Sequence, residues 1–141
     1  MPTAELSLSP RPELVRIARM MSVSLARRGG VPEELLPEVR LAVGEAASRA
    51  VLVHARAGSD APVRLTFVED DRGYEVRVHD EGSVHDVPEA PEDDLPAMSV
   101  DDAAGGLPPE LALALISGMT DDLKVSADPI GGTLVVLRWR R

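Results

Sequence analysis

The chain has 141 residues, 44% of them hydrophobic, which suits one domain with its own core and argues against a disordered segment. A net charge of −9 is the wrong sign for a protein that grips nucleic acid directly. The absence of Cys excludes disulfides and thiolate chemistry. With no long apolar run and no leader-like N-terminus, we expect a cytoplasmic protein without a membrane span.

The hydrophobic pattern predicts helices and strands in a single domain, residues 1–141. In chain order we expect a strand at 4–9, helices at 13–28 and 32–57, a hairpin with strands at 63–67 and 74–80, a helix at 108–119, and strands at 123–127 and 133–139. This order predicts an α/β (α+β) two-layer sandwich. Its three helices lie on one face of a mixed, mostly antiparallel sheet.

The segment 81–107 has no hydrophobic periodicity and holds eight acidic residues without any Lys or Arg. We interpret it as a flexible acidic lid loop. The simplest explanation of its charge is a solvated surface loop. A functional alternative is that it steers a basic partner, since long loops in compact domains are usually functional.

Asp80 is the most informative single residue. In the strand 74–80, the side chains of Tyr74, Val76 and Val78 share the core-facing side, and Asp80 continues their row. An unpaired carboxylate in that position would be costly to bury. The pattern alone therefore slightly favours a carboxylate that begins the loop and turns out to solvent.

Glu45 and Arg49 are four residues apart on the second helix, in the order that favours an ion pair. Taken alone, they predict an ordinary surface ion pair. The three histidines lack metal-ligand spacing, so no metal site is predicted. There is no phosphate loop ending in Gly-Lys and no G-x-G-x-x-G motif.

Residues 39–54 read Val-Arg-Leu-Ala-Val-Gly-Glu-Ala-Ala-Ser-Arg-Ala-Val-Leu-Val-His. With the element order, this segment resembles the bacterial anti-sigma factors of the GHKL (Bergerat-fold) ATPase superfamily, the serine-kinase-like regulators of stress and sporulation sigma factors. Glu45 and His54 match the N box of that family. Asp80-Glu81-Gly82 matches the first half of its Asp-x-Gly-x-Gly G1 box, and Gly105-Gly106 is the nearest equivalent of its G2 box.

The resemblance implies a function for each matched residue. Glu45 would be the base that activates a serine of a partner protein, and Asp80 would accept the amino group of adenine. The remaining nucleotide-binding positions would be Arg49, Gly82, Gly105 and Gly106.

Four departures from the family pattern weaken binding of Mg·ATP. The N-box Asn, which holds Mg²⁺ in the family, is Arg49 here, and a guanidinium has no acceptor and a permanent charge. The second Gly of the G1 box is Val84, and Pro108-Pro109 after the G2 glycines lack N–H donors. The acidic lid would repel a triphosphate. We therefore expect no bound cofactor, with Mg·ATP as the alternative, and a kinase activity that is lost or weak.

The resulting hypothesis is an anti-sigma factor that sequesters a sigma factor and is released by a STAS-type antagonist, that is, partner switching. Family members are homodimers, and the row Arg16, Met20, Val23 and Arg27 on the first helix is the predicted partner contact, with plain solvated surface as its alternative. A second hypothesis is an active serine kinase in which Arg49 holds a phosphate oxygen. A third is an α/β module for another ligand, which an Asp80 in solvent, remote from Glu45, would favour.

Overall fold

The computed structural model describes residues 3–82, 109–129 and 131–140. Its elements in chain order are β1 Thr3–Leu8, α1 Val15–Arg28, α2 Leu36–Arg56, β2 Val63–Asp70, β3 Gly73–Asp80, α3 Pro109–Met119, β4 Asp122–Ala127 and β5 Thr133–Arg140. Short 3₁₀ turns at Pro12–Leu14 and Glu33–Leu35 precede α1 and α2. No helix in these described ranges is long and apolar enough to cross a membrane.

The five strands form one sheet in the order β1-β2-β3-β5-β4. All four neighbouring pairs among the described strands are antiparallel, and the sequence predicted a mixed, mostly antiparallel sheet. The two-layer α+β architecture with three helices is confirmed. Helices α1 and α2 pack on the central strands, and α3 packs against α2 and the edge strand β4.

The hairpin β2–β3 is longer than its alternating pattern predicted, because the turn between the strands is shorter. The side chain of Asp70 accepts the backbone N–H groups of Arg72 at 2.8 Å and Gly73 at 3.0 Å. A carboxylate that caps a turn in this way stabilises its tight geometry. Strand pairing consequently continues to Asp70 and resumes at Gly73.

The chain's three aromatic residues lie in the core, and two of them stack. The rings of Tyr74 and Trp139 are 6.2 Å apart, and Trp139 Nε1 donates to the carbonyl of Met119 at 2.9 Å. The Tyr74 hydroxyl donates to the carbonyl of Ser22 at 3.0 Å, and burial raises the pKa of this phenol above its ordinary range. The remaining core is mostly Ala, Val and Leu, as the composition predicted.

Helix α2 is the central helix of the domain. Every residue from 42 to 51 is buried, including the polar ones, so the helix has no solvent-facing stripe over that stretch. The hydrophobic pattern predicted a helix at 32–57 but not that every side of it would be covered. Burial on all sides brings the motif residues of α2 into the interior, and this positions the candidate site.

Candidate functional site

The candidate site lies where α2 faces the end of β3, and its centre is an ion pair. Arg49 Nη1 donates to Asp80 Oδ2 at 3.0 Å, and each side chain is only 1% exposed. Removing two charges from water is costly unless they compensate one another. The pair resolves the buried-carboxylate problem that the sequence pattern raised at Asp80.

The second oxygen of Asp80 is engaged as well. Asp80 Oδ1 accepts the backbone N–H of Gly82 at 2.8 Å, and the Thr133 hydroxyl donates to the carbonyl of Gly82 at 2.7 Å. A Cβ at Gly82 would collide with Cγ1 of Val53, so only glycine fits this close approach to α2. The chain itself therefore supplies a donor to each oxygen of the Asp80 carboxylate.

Arg49 is less completely satisfied than Asp80. Its Nε is buried and has no hydrogen-bond partner among the residues that the structure describes. Asp80 uses both oxygens, whereas the guanidinium contacts it through Nη1 alone, although a planar fork can pair twice with one carboxylate. The arrangement is thus better fitted to neutralising Asp80 than to satisfying Arg49.

Two interpretations of these residues from sequence are wrong. Asp80 does not turn out to solvent, and Glu45 and Arg49 do not form a surface ion pair, because Glu45 is 7% and Arg49 1% exposed. The local spacing on one helix could not reveal that α2 is covered on all sides. Burial of Asp80 beside the Glu45 helix also removes the observation that would have favoured a module for another ligand.

The structure unites only part of the predicted nucleotide site. Asp80, Gly82 and Arg49 meet, and Glu45 lies one helical turn before Arg49 on α2. Apart from Glu81 and Gly82, the predicted lid lies outside the described residues, and with it Val84, Gly105 and Gly106. Among the residues that are described, no group of three or more His, Asp or Glu side chains could hold a metal ion.

The predicted partner row on α1 is largely at the surface. Met20 is 71% exposed and Arg16 is exposed, while Val23 is half-buried against the core. Arg27 is exposed and pairs with Glu33 at 2.9 Å. This row therefore stays a prediction with three accessible side chains.

Sequence reasoning missed Thr133, which is fully buried at the start of β5 and pairs with Asp80 across the sheet. The signal that could have found it is strand register. Thr133 is the first residue of β5, which pairs antiparallel with β3. It therefore lies opposite Asp80, the last residue of β3. The adjacent Gly132 is also required, since a Cβ there would collide with the carbonyl oxygen of Asp80.

Comparison with known proteins adds to this geometry. Residues 8–139 match the family model described as a histidine kinase-like ATPase domain. The chain is 28% identical over 134 residues to the serine-protein kinase RsbW of Listeria monocytogenes, covering 95% of this chain and 85% of that protein. It is 32% identical over 130 residues to the protein of the same name from Bacillus pumilus, covering 88% and 78%.

A solved structure of similar fold contains the RsbU and RsbW domains of a Mycobacterium tuberculosis protein. The two superpose with a TM-score of 0.68 at 15% sequence identity over 99% of this chain. The match covers 32% of the mycobacterial chain, so this chain spans about a third of it. At that identity the likeness concerns the fold alone.

Proposed function

This chain belongs to the histidine kinase-like ATPase domain family, among relatives named RsbW, and on that premise we propose that it is an anti-sigma factor with lost or weak kinase activity. It sequesters a sigma factor in the cytoplasm. A STAS-type antagonist releases the sigma factor by competing for the anti-sigma factor. Partner switching of this kind needs a binding surface and no chemical step.

The observation that carries the proposal is the engagement of Asp80. By the family resemblance, this carboxylate would accept the amino group of adenine. Here Arg49 takes one oxygen at 3.0 Å and the Gly82 N–H takes the other at 2.8 Å. An adenine would have to displace a buried guanidinium and leave its charge unpaired, which costs several kcal/mol.

Mg²⁺ fits the described residues no better. Where the family has an Asn that holds the metal, Arg49 presents only donors and a permanent positive charge. The side chain is 1% exposed and held by Asp80, so it is not free to swing into solvent and vacate the position. These residues do not fit Mg·ATP.

The α1 surface supports the partner-binding half of the proposal. Helix α1 has four arginines and no acidic residue, although the whole chain carries a net charge of −9. Ile17 at 39% and Met20 at 71% add exposed apolar area to this basic surface. An acidic partner surface with apolar anchors would complement it. We propose that Arg16, Met20, Val23 and Arg27 contact the protein partners or the second subunit of a homodimer.

Nucleotide titration tests the proposal directly. Isothermal calorimetry with Mg·ATP should give no saturable binding at concentrations up to about 1 mM, whereas a Listeria RsbW in the same assay serves as the binding control. The sigma factor and the STAS antagonist should still bind and compete for the protein without nucleotide. Micromolar affinity for Mg·ATP would overturn the loss of nucleotide binding, and failure of both proteins to bind would overturn the anti-sigma function.

An active serine kinase is the second candidate. Glu45 is retained in the interior one turn before Arg49, and the relatives carry the name serine-protein kinase. In that case the Arg49 guanidinium would contact a phosphate oxygen in place of the Asp80 carboxylate that it contacts here. Phosphate transfer to a STAS protein that is lost in Glu45→Gln would establish the kinase, and the absence of transfer would remove it.

A further inference from the structure

His54 is buried beside the candidate site but takes no part in the Arg49–Asp80 pair. It lies near the end of α2 and is 1% exposed. Its Nδ1 is 2.8 Å from the carbonyl oxygen of Ala61, and its Nε2 is 2.9 Å from the backbone nitrogen of Glu81. Both ring nitrogens are therefore engaged by backbone groups of other segments.

These two contacts determine the protonation state of the ring. A carbonyl oxygen can only accept, so Nδ1 must carry a hydrogen. A backbone N–H can only donate, so Nε2 must present its lone pair to Glu81. The imidazole is consequently neutral with its hydrogen on Nδ1. In the protonated ring both nitrogens donate, and the contact with Glu81 becomes one between two donors.

His54 connects three segments that are far apart in sequence. It ties the end of α2 to the loop before β2 through Ala61, and to the residue that follows β3 through Glu81. Glu81 lies between Asp80 and Gly82, whose own hydrogen bond closes the turn at the end of β3. Losing the His54 contact would remove the direct hydrogen bond between α2 and the backbone of this turn.

We propose that His54 is an acid-sensitive latch: a proton on Nε2 breaks the hydrogen bond with Glu81 and frees the Glu81 amide from the end of α2. The charged residues nearest to His54 in sequence on its own helix are Arg49 and Arg56; Asp60 precedes Ala61 in the loop, and Asp80 and Glu81 lie at the end of β3. Arg49 and Asp80 compensate one another. This inference concerns the fold and holds or fails independently of the proposed function.

NMR of the intact protein tests the latch. Near neutral pH, the ring nitrogen shifts of His54 should report the tautomer with hydrogen on Nδ1. When the pH is lowered, the latch requires that Nε2 gains a proton, which the same ring nitrogen shifts report. The exchange protection factor of the Glu81 amide should then fall by about tenfold, the effect of losing one hydrogen bond.

Two variants locate the response. His54→Gln keeps a donor and an acceptor without titrating, so the protection of the Glu81 amide should no longer depend on pH. A double variant, His79→Gln with His85→Gln, removes the other two imidazoles and should keep the wild-type response. The latch is refuted if the ring carries its hydrogen on Nε2, or if it stays neutral down to acid unfolding. Unchanged protection with a protonated ring also refutes it, and all three readings come from the wild-type protein.

Discussion

Two arginine–aspartate pairs lie on opposite faces of the same sheet and differ in geometry and burial. On the helix-free face, Arg138 Nη2 contacts both oxygens of Asp70 at 2.9 Å, and Nη1 contacts Glu75 at 3.1 Å. Its side chain is 20% exposed and that of Asp70 25%. On the helical side, Arg49 makes one contact to Asp80 at 3.0 Å, with both side chains 1% exposed.

The Arg138–Asp70 pair makes more hydrogen bonds, yet we expect it to contribute less to stability than the Arg49–Asp80 pair. Water screens the Arg138–Asp70 pair and can replace either partner, so it mainly fastens the strand ends around the β2–β3 turn. The Arg49–Asp80 pair is dry, and removing either charge leaves the other without compensation. Burial, and not the number of hydrogen bonds, therefore decides which pair controls the stability and the ligand chemistry of the domain.

Asp80→Asn is the substitution from which we expect the largest effect on stability. An Asn cannot compensate the Arg49 charge, and whichever way its amide is turned, a donor faces either Arg49 or the Gly82 N–H. We expect a loss of about 3–5 kcal/mol in the free energy of unfolding, measured by urea denaturation. The double variant Arg49→Met with Asp80→Asn should recover most of that loss, because no buried charge remains. If Asp80→Asn alone were as stable as the wild type, burial would not be what makes the Arg49–Asp80 pair important for stability.

Gly82→Ala tests how tightly the turn beside Asp80 is packed. The new Cβ would collide with Cγ1 of Val53 and lie 3.1 Å from Asp80 Oδ1. We expect a loss of about 1–3 kcal/mol from overpacking, measured by the same denaturation. Gly118→Ala is the matched control: nothing lies within 4 Å of its added Cβ, so α3 should be unaffected or slightly stabilised. Equal effects of the two substitutions would mean that the turn at Gly82 is loosely packed.

Asp70→Asn should have a smaller effect, and one that depends on pH. The hydrogen bond from Arg138 holds the pKa of Asp70 below its ordinary value, so the folded state favours the charged carboxylate. The stabilisation is complete above about pH 4 and disappears as the pH falls through the folded-state pKa. The stability curves of wild type and variant should therefore converge in acid, with Asp71→Asn as the neighbouring control. Curves that stay parallel down to acid unfolding would contradict this.

Added salt should affect the two ion pairs differently, and we expect this effect on stability to be the smallest of the four. At about 1 M NaCl the screening length falls to about 3 Å, which weakens exposed pairs and leaves dry ones nearly unchanged. The stability difference between wild type and Asp70→Asn should shrink, while the difference between wild type and Asp80→Asn should persist. Equal shrinkage of both differences in urea denaturation would show that water reaches the buried pair.

Much of the fold could be predicted because its signals are local. Alternation and helical spacing indicated each element, and the breaks at Gly29-Gly30 and Ala57-Gly58 fall where α1 and α2 end. A mostly antiparallel sheet was predicted, but the strand order β1-β2-β3-β5-β4 was not, since local periodicity does not encode which strands are neighbours. The full burial of α2 was missed for a similar reason. The helix contains polar residues such as Glu45 and Arg49, and local spacing does not show that other elements cover them.

The site was predicted as a set of residues and not as an arrangement. The motif spacing nominated Glu45, Arg49, Asp80 and Gly82, and it identified Arg49 as the departure from the family pattern. It paired Arg49 with Glu45, its neighbour on the helix, because that is the contact local spacing can reveal. Asp80 is 31 positions away and became the partner only through the packing of α2 on β3.

The sequence alone thus determined the element types, their order and the family motifs, because each follows from residues close together along the chain. The tertiary structure decided which carboxylate neutralises Arg49, that the pair is dry, and which backbone groups contact the two ring nitrogens of His54. Those properties depend on which groups meet after folding and on how much water is excluded around them. Electrostatic and hydrogen-bond energies change severalfold with that exclusion, and no local pattern of residues records it.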